Sequence, residues 1–186
     1  VWIVGEGEFR TPAMLEALNE GRYPDGVDGV YYRKADGEVV RQPMSDRIVD
    51  LDNVAFPDYG GMDFGAYANY PNKYVIGLMP RRFPFAISIT TRGCPYGCTF
   101  CSAGAVSGKK IRKRSAENVL AEVDHLYHEK GVREIIYLDD QWFAYRKRAI
   151  EIMKGLIDRK YDLIWKNTND SIWLLDEELL DLMRAS

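Results

Sequence analysis

The sequence predicts an α/β protein, and three observations carry that prediction. From Phe85 onward, short β-branched runs alternate with apolar stripes at helical spacing, in the order strand, helix, strand, helix, strand, helix. Such alternation implies parallel strands joined by right-handed crossovers. At the other end, "VWIVG" (Val1 to Gly5) is a β-rich run that stops at Gly-Glu-Gly-Glu and leads into a helical stripe. That is the form of the last piece of an open α/β domain. Three strand–helix units cannot close a barrel, so residues 85–186 are expected to form an opened slice of a larger βα domain.

The elements follow in order. Val1 to Gly5 reads as a buried strand. Thr11 is placed to cap a helix with Pro12 at its first position and Gly21 at its close, and Met14, Leu15 and Leu18 give it an apolar face. Two β-rich runs between Gly29 and Gln42 flank Asp36-Gly37, a strong hairpin signal. Residues 43–84 are rich in Pro, Gly, Asp and Tyr and read as a linker with little regular structure, its aromatics packing onto a neighbour. Phe85 to Thr91 is a strand that runs into "RGCPYGCTFCS". Ser115 caps a helix closed by Lys130 and Gly131, with Val119, Leu120, Val123, Leu126 and Tyr127 on one stripe. Glu134 to Asp140 is a strand ending in two carboxylates. Arg146 to Lys160 is a helix with Ile150, Met153, Leu156 and Ile157 inward. Asp162 to Asn169 is a strand, and Asp176 caps a last helix through Met183. The three parts are residues 1–42, 43–84 and 85–186.

The 186 residues are 46% hydrophobic and 28% charged, as in soluble globular proteins. A net charge of −3 gives no global pull toward nucleic acid or anionic membrane. No apolar run reaches the roughly 18 residues of a membrane span. No secretory signal opens the chain, and Val1 reads as an internal start. The cysteines are odd in number and clustered, which points to a reducing, cytoplasmic setting.

Cys94, Cys98 and Cys101 are the only cysteines and fall within eight positions. A zinc site wants a fourth protein ligand, and His125 and His128, in the middle of a helix, are in no ligand spacing with a second cysteine pair. A disulfide leaves one thiol over. An iron–sulfur cluster normally takes four cysteines; with three, one iron stays open to an outside ligand. Gly93, Pro95 and Gly97 let backbone wrap closely around such a cluster. The loop also follows the first parallel strand, at the face where βα barrels do their chemistry. "KKIRKR" (Lys109 to Arg114) reads as a solvated surface run. His125 and His128 read as exposed helix residues, and Trp142, Trp165 and Trp173 as packing between strands and helices.

"CPYGCTFC" resembles the signature of the radical S-adenosylmethionine (SAM) enzymes, C-x3-C-x-aromatic-C, with Phe100 as the aromatic. "YLDDQWF" resembles the second-strand segment of the cobalamin-dependent branch, and "VWIVGEGEFRTPAMLEAL" resembles the end of the cobalamin-binding domain that precedes the barrel there. The hairpin and "DLDNVAFPDY" resemble that branch's connector. The resemblance implies the end of a Rossmann-like cobalamin-binding domain followed by the first half of a TIM-type radical SAM barrel. It implies that Cys94, Cys98 and Cys101 ligate a [4Fe-4S] cluster whose fourth iron takes SAM. Phe100 would lie against the adenine or anchor the loop. Asp139 or Asp140 would meet the SAM amino group, the plain alternative being a pair of helix-capping acids. Asn167 and Asn169 would end the third strand on that face, where family members often carry a basic residue. Gly5 and Gly7 would approach the cobalamin nucleotide tail, the alternative being a plain strand-to-helix turn. The implied activity is reductive cleavage of SAM to a 5′-deoxyadenosyl radical, supporting cobalamin-dependent methyl transfer to an unactivated centre of a small-molecule substrate. An electron donor such as flavodoxin or ferredoxin is the implied partner. The alternatives are oxidative cyclisation, methylthiolation, or a non-catalytic metal-binding or electron-transfer module.

Overall fold

The structure, a computed structural model, describes residues 1–45, 47–69 and 79–186. The chain divides into two units, Val1–Val54 and Ala55–Ser186.

In the first unit, β1 (Trp2–Ile3) follows the amino end and α1 spans Arg10–Asn19. β2 (Val30–Arg33) and β3 (Val39–Arg41) form the expected hairpin around Asp36 and Gly37, and β1 joins it antiparallel, in the order β1-β2-β3. Two expectations are corrected. The first run is not a buried strand: only two residues pair, and Trp2 is 61% exposed. Alternation along the strand explains this, since Ile3 lies opposite the fully buried Val30 while Trp2 lies opposite Tyr31 and faces outward. Helix α1 begins before Thr11, after Phe9 and without a side-chain cap, and the Thr11 N–H donates to the Gly7 carbonyl. Its buried residues are Arg10 and Ala17, one helical face, whereas Leu15 and Leu18 are exposed. Arg10 turns that face inward by pairing with Asp28 and donating to the carbonyls of Val4 and Glu6.

The segment 43–84 is largely irregular where described. It holds a 3-10 turn at Leu51–Asn53 and a short helix, α2 (Phe64–Asn69); Asp46 and residues 70–78 lie outside the described residues. Its aromatics do pack: Tyr59 is buried in the core of the second unit, with Phe64 against it.

In the second unit β4 (Phe85–Ser88) ends earlier than expected. The chain bends away into β5 (Thr91–Arg92), and beyond the cysteines comes a four-residue helix, α3 (Ala103–Val106), that the sequence did not announce. β6 (Arg112–Lys113) then pairs antiparallel with β5. Helix α4 (Ala116–Glu129) starts at Ser115, whose hydroxyl accepts the Asn118 N–H at 3.1 Å, and Lys130 and Gly131 follow its end. Ser115→Ala is expected to cost about 1 kcal/mol, read as a lower melting temperature. β7 (Glu134–Tyr137), α5 (Arg146–Arg159), β8 (Ile164–Asn167) and α6 (Glu177–Ala185) complete the alternation, with Asp176 capping α6 through the Leu179 N–H.

The parallel sheet has the order β4-β7-β8, with Ile135 paired to Ala86 on one side and Trp165 on the other. β7 is central and wholly buried, as both its faces are covered. β8 is half-buried throughout and, among the described residues, pairs on one side only. Val119, Val123 and Leu126 of α4 and Ile152, Met153 and Leu156 of α5 belong to one core with Ile135 and Trp142. Ile150 and Ile157, expected inward, are only half-buried, and Ile152 takes the deeper place. Trp142 is fully buried and stacks on Trp165 with centroids 5.0 Å apart.

Candidate functional site

The residues singled out by sequence in the second unit as site candidates follow the carboxyl ends of β4, β7 and β8 along the chain. The cysteine loop leaves β5 through Gly93, at φ +104. A Cβ there would stand 2.4 Å from the Lys110 carbonyl oxygen and 3.0 Å from that of Gly108, so only glycine lets the two limbs close. The Cys94 N–H donates to the Gly108 carbonyl at 3.0 Å and buries Cys94 at the loop's base. Further out, Cys101 N–H donates to the Cys98 carbonyl at 3.1 Å, and both these cysteines are exposed. The Cys101 sulfur accepts the Ala103 N–H at 3.4 Å. None of the three is in a disulfide. Among the described residues the structure does not draw three metal-ligating side chains together.

A buried polar network lies behind this loop. Glu122 of α4 accepts from Arg114 at 2.6 Å, Ser88 at 2.8 Å and Tyr59 at 3.1 Å. Burial raises the Tyr59 hydroxyl above its usual range, and the Glu122 charge adds to the effect. "KKIRKR" is solvated only in part: Lys109, Lys110 and Lys113 are exposed, whereas Arg112 and Arg114 are buried. The missed signal is period two, which puts both on one face of the β6 strand and its continuation.

Asp139 is fully buried and accepts the Thr90 N–H at 3.0 Å and its hydroxyl at 2.8 Å. Burial pushes its carboxyl above the usual carboxylate range, against the hydrogen bonds from Thr90 and the charge of the nearby Arg148. Asp139 thus fastens the end of β4, and Asp140, half-buried, is the more open of the pair. Asn167 ends β8 and Asn169 lies just beyond it, and the Asn167 amide donates to the Asn169 carbonyl and to the Asp170 carboxylate. Asp170, which sequence reading passed over, also accepts the Phe143 N–H at 3.1 Å. Burial raises its carboxyl to about 6 from 3.8. A carboxyl raised on folding stabilises the fold at low pH, and that contribution is lost as pH climbs from about 4 through about 6. Asp170→Asn is expected to make the protein more stable at pH 7 relative to pH 4 than its parent, as followed by melting temperature across that range.

Trp173 was expected to pack between strand and helix. It is 69% exposed instead, and its Nε1–H donates to the Tyr96 hydroxyl of the cysteine loop at 3.0 Å. Phe100 is 92% exposed, so it does not anchor the loop in a core. His128 is exposed as expected, whereas His125 is half-buried, tilted against Tyr59 and paired with Glu129. In the first unit Gly5 sits at φ +80, where a Cβ would crowd Met44 and Arg10, and a Cβ at Gly7 would meet the Thr11 hydroxyl.

Residues 88–186, more than half the chain, match the Radical SAM superfamily. The chain belongs to the radical SAM superfamily. It is 34% identical over 161 residues to an uncharacterized methyltransferase of Pyrococcus horikoshii, covering 87% of this chain and 32% of that protein. It is 34% identical over 187 residues to the anaerobic magnesium-protoporphyrin IX monomethyl ester cyclase of Rubrivivax gelatinosus, covering 98% and 32%. Its fold resembles that of TsrM, a radical SAM methyltransferase of Kitasatospora setae solved with cobalamin and a [4Fe-4S] cluster, with a TM-score of 0.63 at 18% identity over 98% of this chain and 35% of that one. The chain spans about a third of the length of these relatives. Among the described residues no helix is long and apolar enough to cross a membrane.

For a radical SAM protein the donor set fits an iron–sulfur cluster. Three thiols free of disulfides stand on one loop, which leaves the short strand β5 that follows parallel strand β4, and an N–H is already directed at one sulfur. Hydrogen bonds to the sulfurs are one of the means by which proteins tune such clusters.

Proposed function

We propose that this chain is the part of a cobalamin-dependent radical SAM enzyme that holds the cluster and SAM, and that the enzyme transfers a methyl group to an unactivated centre of a small molecule. The observation that carries the reading is the loop of three disulfide-free cysteines inside the segment that matches the superfamily. Cys94, Cys98 and Cys101 would hold a [4Fe-4S] cluster, leaving one iron for SAM. When bound, the cluster and SAM supply an electron and a cleavable carbon–sulfur bond, the source of a 5′-deoxyadenosyl radical. The protein's own residues bind and orient. Asp140 is the carboxylate open to the SAM ammonium, while Asp139 keeps the end of β4 in place. Phe100, free of the core, is available to cover the adenine.

In this reading residues 1–42 end a Rossmann-like cobalamin-binding domain, with Gly5 and Gly7 in its last loop, 43–84 connect, and 85–186 begin a TIM-type barrel. The solved relative that binds cobalamin supports the cofactor, and the two methyltransferases among the relatives support the reaction. A flavodoxin or ferredoxin in the cytoplasm would deliver the electron. The cyclase among the relatives favours a second reading, oxidative ring formation by the same radical.

The test is anaerobic reconstitution of the full-length protein with iron and sulfide, then reduction with SAM present. Formation of 5′-deoxyadenosine is expected, and a reduced cluster that leaves SAM intact would contradict the proposal. Corrinoid absorbance retained through purification tests the cobalamin part separately.

A further inference from the structure

We propose that Arg148 is a positioning residue for the cysteine loop, clamping together the two chain segments that enter and leave it. The loop departs after Thr90 and returns at Arg114. Arg148, on α5, donates from Nε to the Arg114 carbonyl at 2.6 Å and from Nη2 to the Thr90 carbonyl at 3.3 Å. The Thr90 carbonyl also accepts the Arg114 N–H at 2.9 Å. One guanidinium therefore closes the neck of the loop, just behind the β5–β6 pairing.

The neck is dry. Thr90 is 0%, Arg148 3% and Arg114 8% exposed. A charged donor out of water makes stronger hydrogen bonds, and a buried guanidinium is costly without partners. The surroundings provide them: Asp139 lies close enough to Arg148 to feel its charge, and it grips Thr90 from the other side. Thr90 is thus held by Asp139, just beyond β7, through its N–H and hydroxyl, and by α5 through its carbonyl. The planar fork of arginine reaches two acceptors at once, which a lysine ammonium on a single stem does less well.

The clamp divides the loop into two parts. Cys94 stands near the fixed neck, buried, with its N–H on Gly108. Cys98 and Cys101 stand beyond it, exposed. Cys94 is then a thiol set in place by the fold before any cluster forms, and the outer two close onto the cluster afterwards. This last step rests on the proposed cluster function; the clamp itself does not.

The test uses the full-length, metal-free protein, so that it reads the clamp independently of the cluster. Alkylation by iodoacetamide is followed at each cysteine by mass spectrometry. In the parent Cys94 is expected to react at least tenfold more slowly than Cys98 and Cys101. Arg148→Met is expected to raise the Cys94 rate about tenfold while leaving the outer two rates and hydrogen exchange at β7 unchanged. If Arg148→Met does not fold, Arg148→Lys keeps the charge but loses the fork, and it is expected to raise the Cys94 rate severalfold. A folded variant with unchanged Cys94 reactivity overturns the proposal. So does a variant in which β7 exchange accelerates equally, because the arginine would then support the fold as a whole.

Discussion

Glu122→Ala is expected to lower stability by about 3–5 kcal/mol, one of the largest losses available from a single residue outside the apolar core. Glu122 is 2% exposed and accepts hydrogen bonds from three side chains, Arg114, Ser88 and Tyr59. Truncation leaves the Arg114 guanidinium buried without its carboxylate, and it strands the hydroxyls of Ser88 and Tyr59. Arg114 keeps its bonds to Asn118, which limits the loss. Glu122→Gln fills the same space and retains an acceptor, so it should cost less than the alanine. Urea unfolding checks both: a loss under 1 kcal/mol for the alanine would show that the pair is open to water. The same change removes the hydrogen bond by which Tyr59, from the irregular segment, is fixed to α4.

Cys98→Ala is expected to abolish cluster retention while leaving the fold intact. Its sulfur is exposed and contributes little to packing, so circular dichroism and melting temperature should match the parent. With two thiols left, a [4Fe-4S] cluster lacks a protein ligand, and iron content after reconstitution and desalting should fall toward zero. Full iron retention in Cys98→Ala would refute the ligand assignment. Cys94→Ala differs, since its sulfur is buried at the base of the loop: it should lose iron and also some stability.

The second unit was legible because its signals were local and repeated. Val119, Val123 and Leu126 fall at helical spacing, Ser115 and Asp176 sit where caps belong, and both act as caps. The first unit was less so. Its helical stripe predicted that Leu15 and Leu18 face inward, yet burial follows Arg10, whose place is set by Asp28 and by the carbonyls of Val4 and Glu6. No local pattern reports a partner that is distant in sequence. The same holds at the site. The three cysteines are contiguous and readable, whereas Arg114, Glu122 and Arg148 matter through one another across the fold, and Asp170 through a backbone N–H of Phe143. Charge runs are usually solvated, and "KKIRKR" departs from that habit in part, because β6 and its continuation turn Arg112 and Arg114 inward while the lysines stay exposed. Trp173 misled for a related reason: a large apolar residue near a strand end usually packs, but this one reaches the half-buried Tyr96 of the cysteine loop.

The central claim is that three cysteines hold a cluster with one iron open to SAM. Electron paramagnetic resonance of the reconstituted, reduced, full-length protein tests it most directly, with spectra taken before and after SAM is added. A reduced-cluster signal whose shape or position changes on adding SAM is the predicted result. A signal indifferent to SAM, or a colourless protein that retains zinc in place of iron, would contradict it.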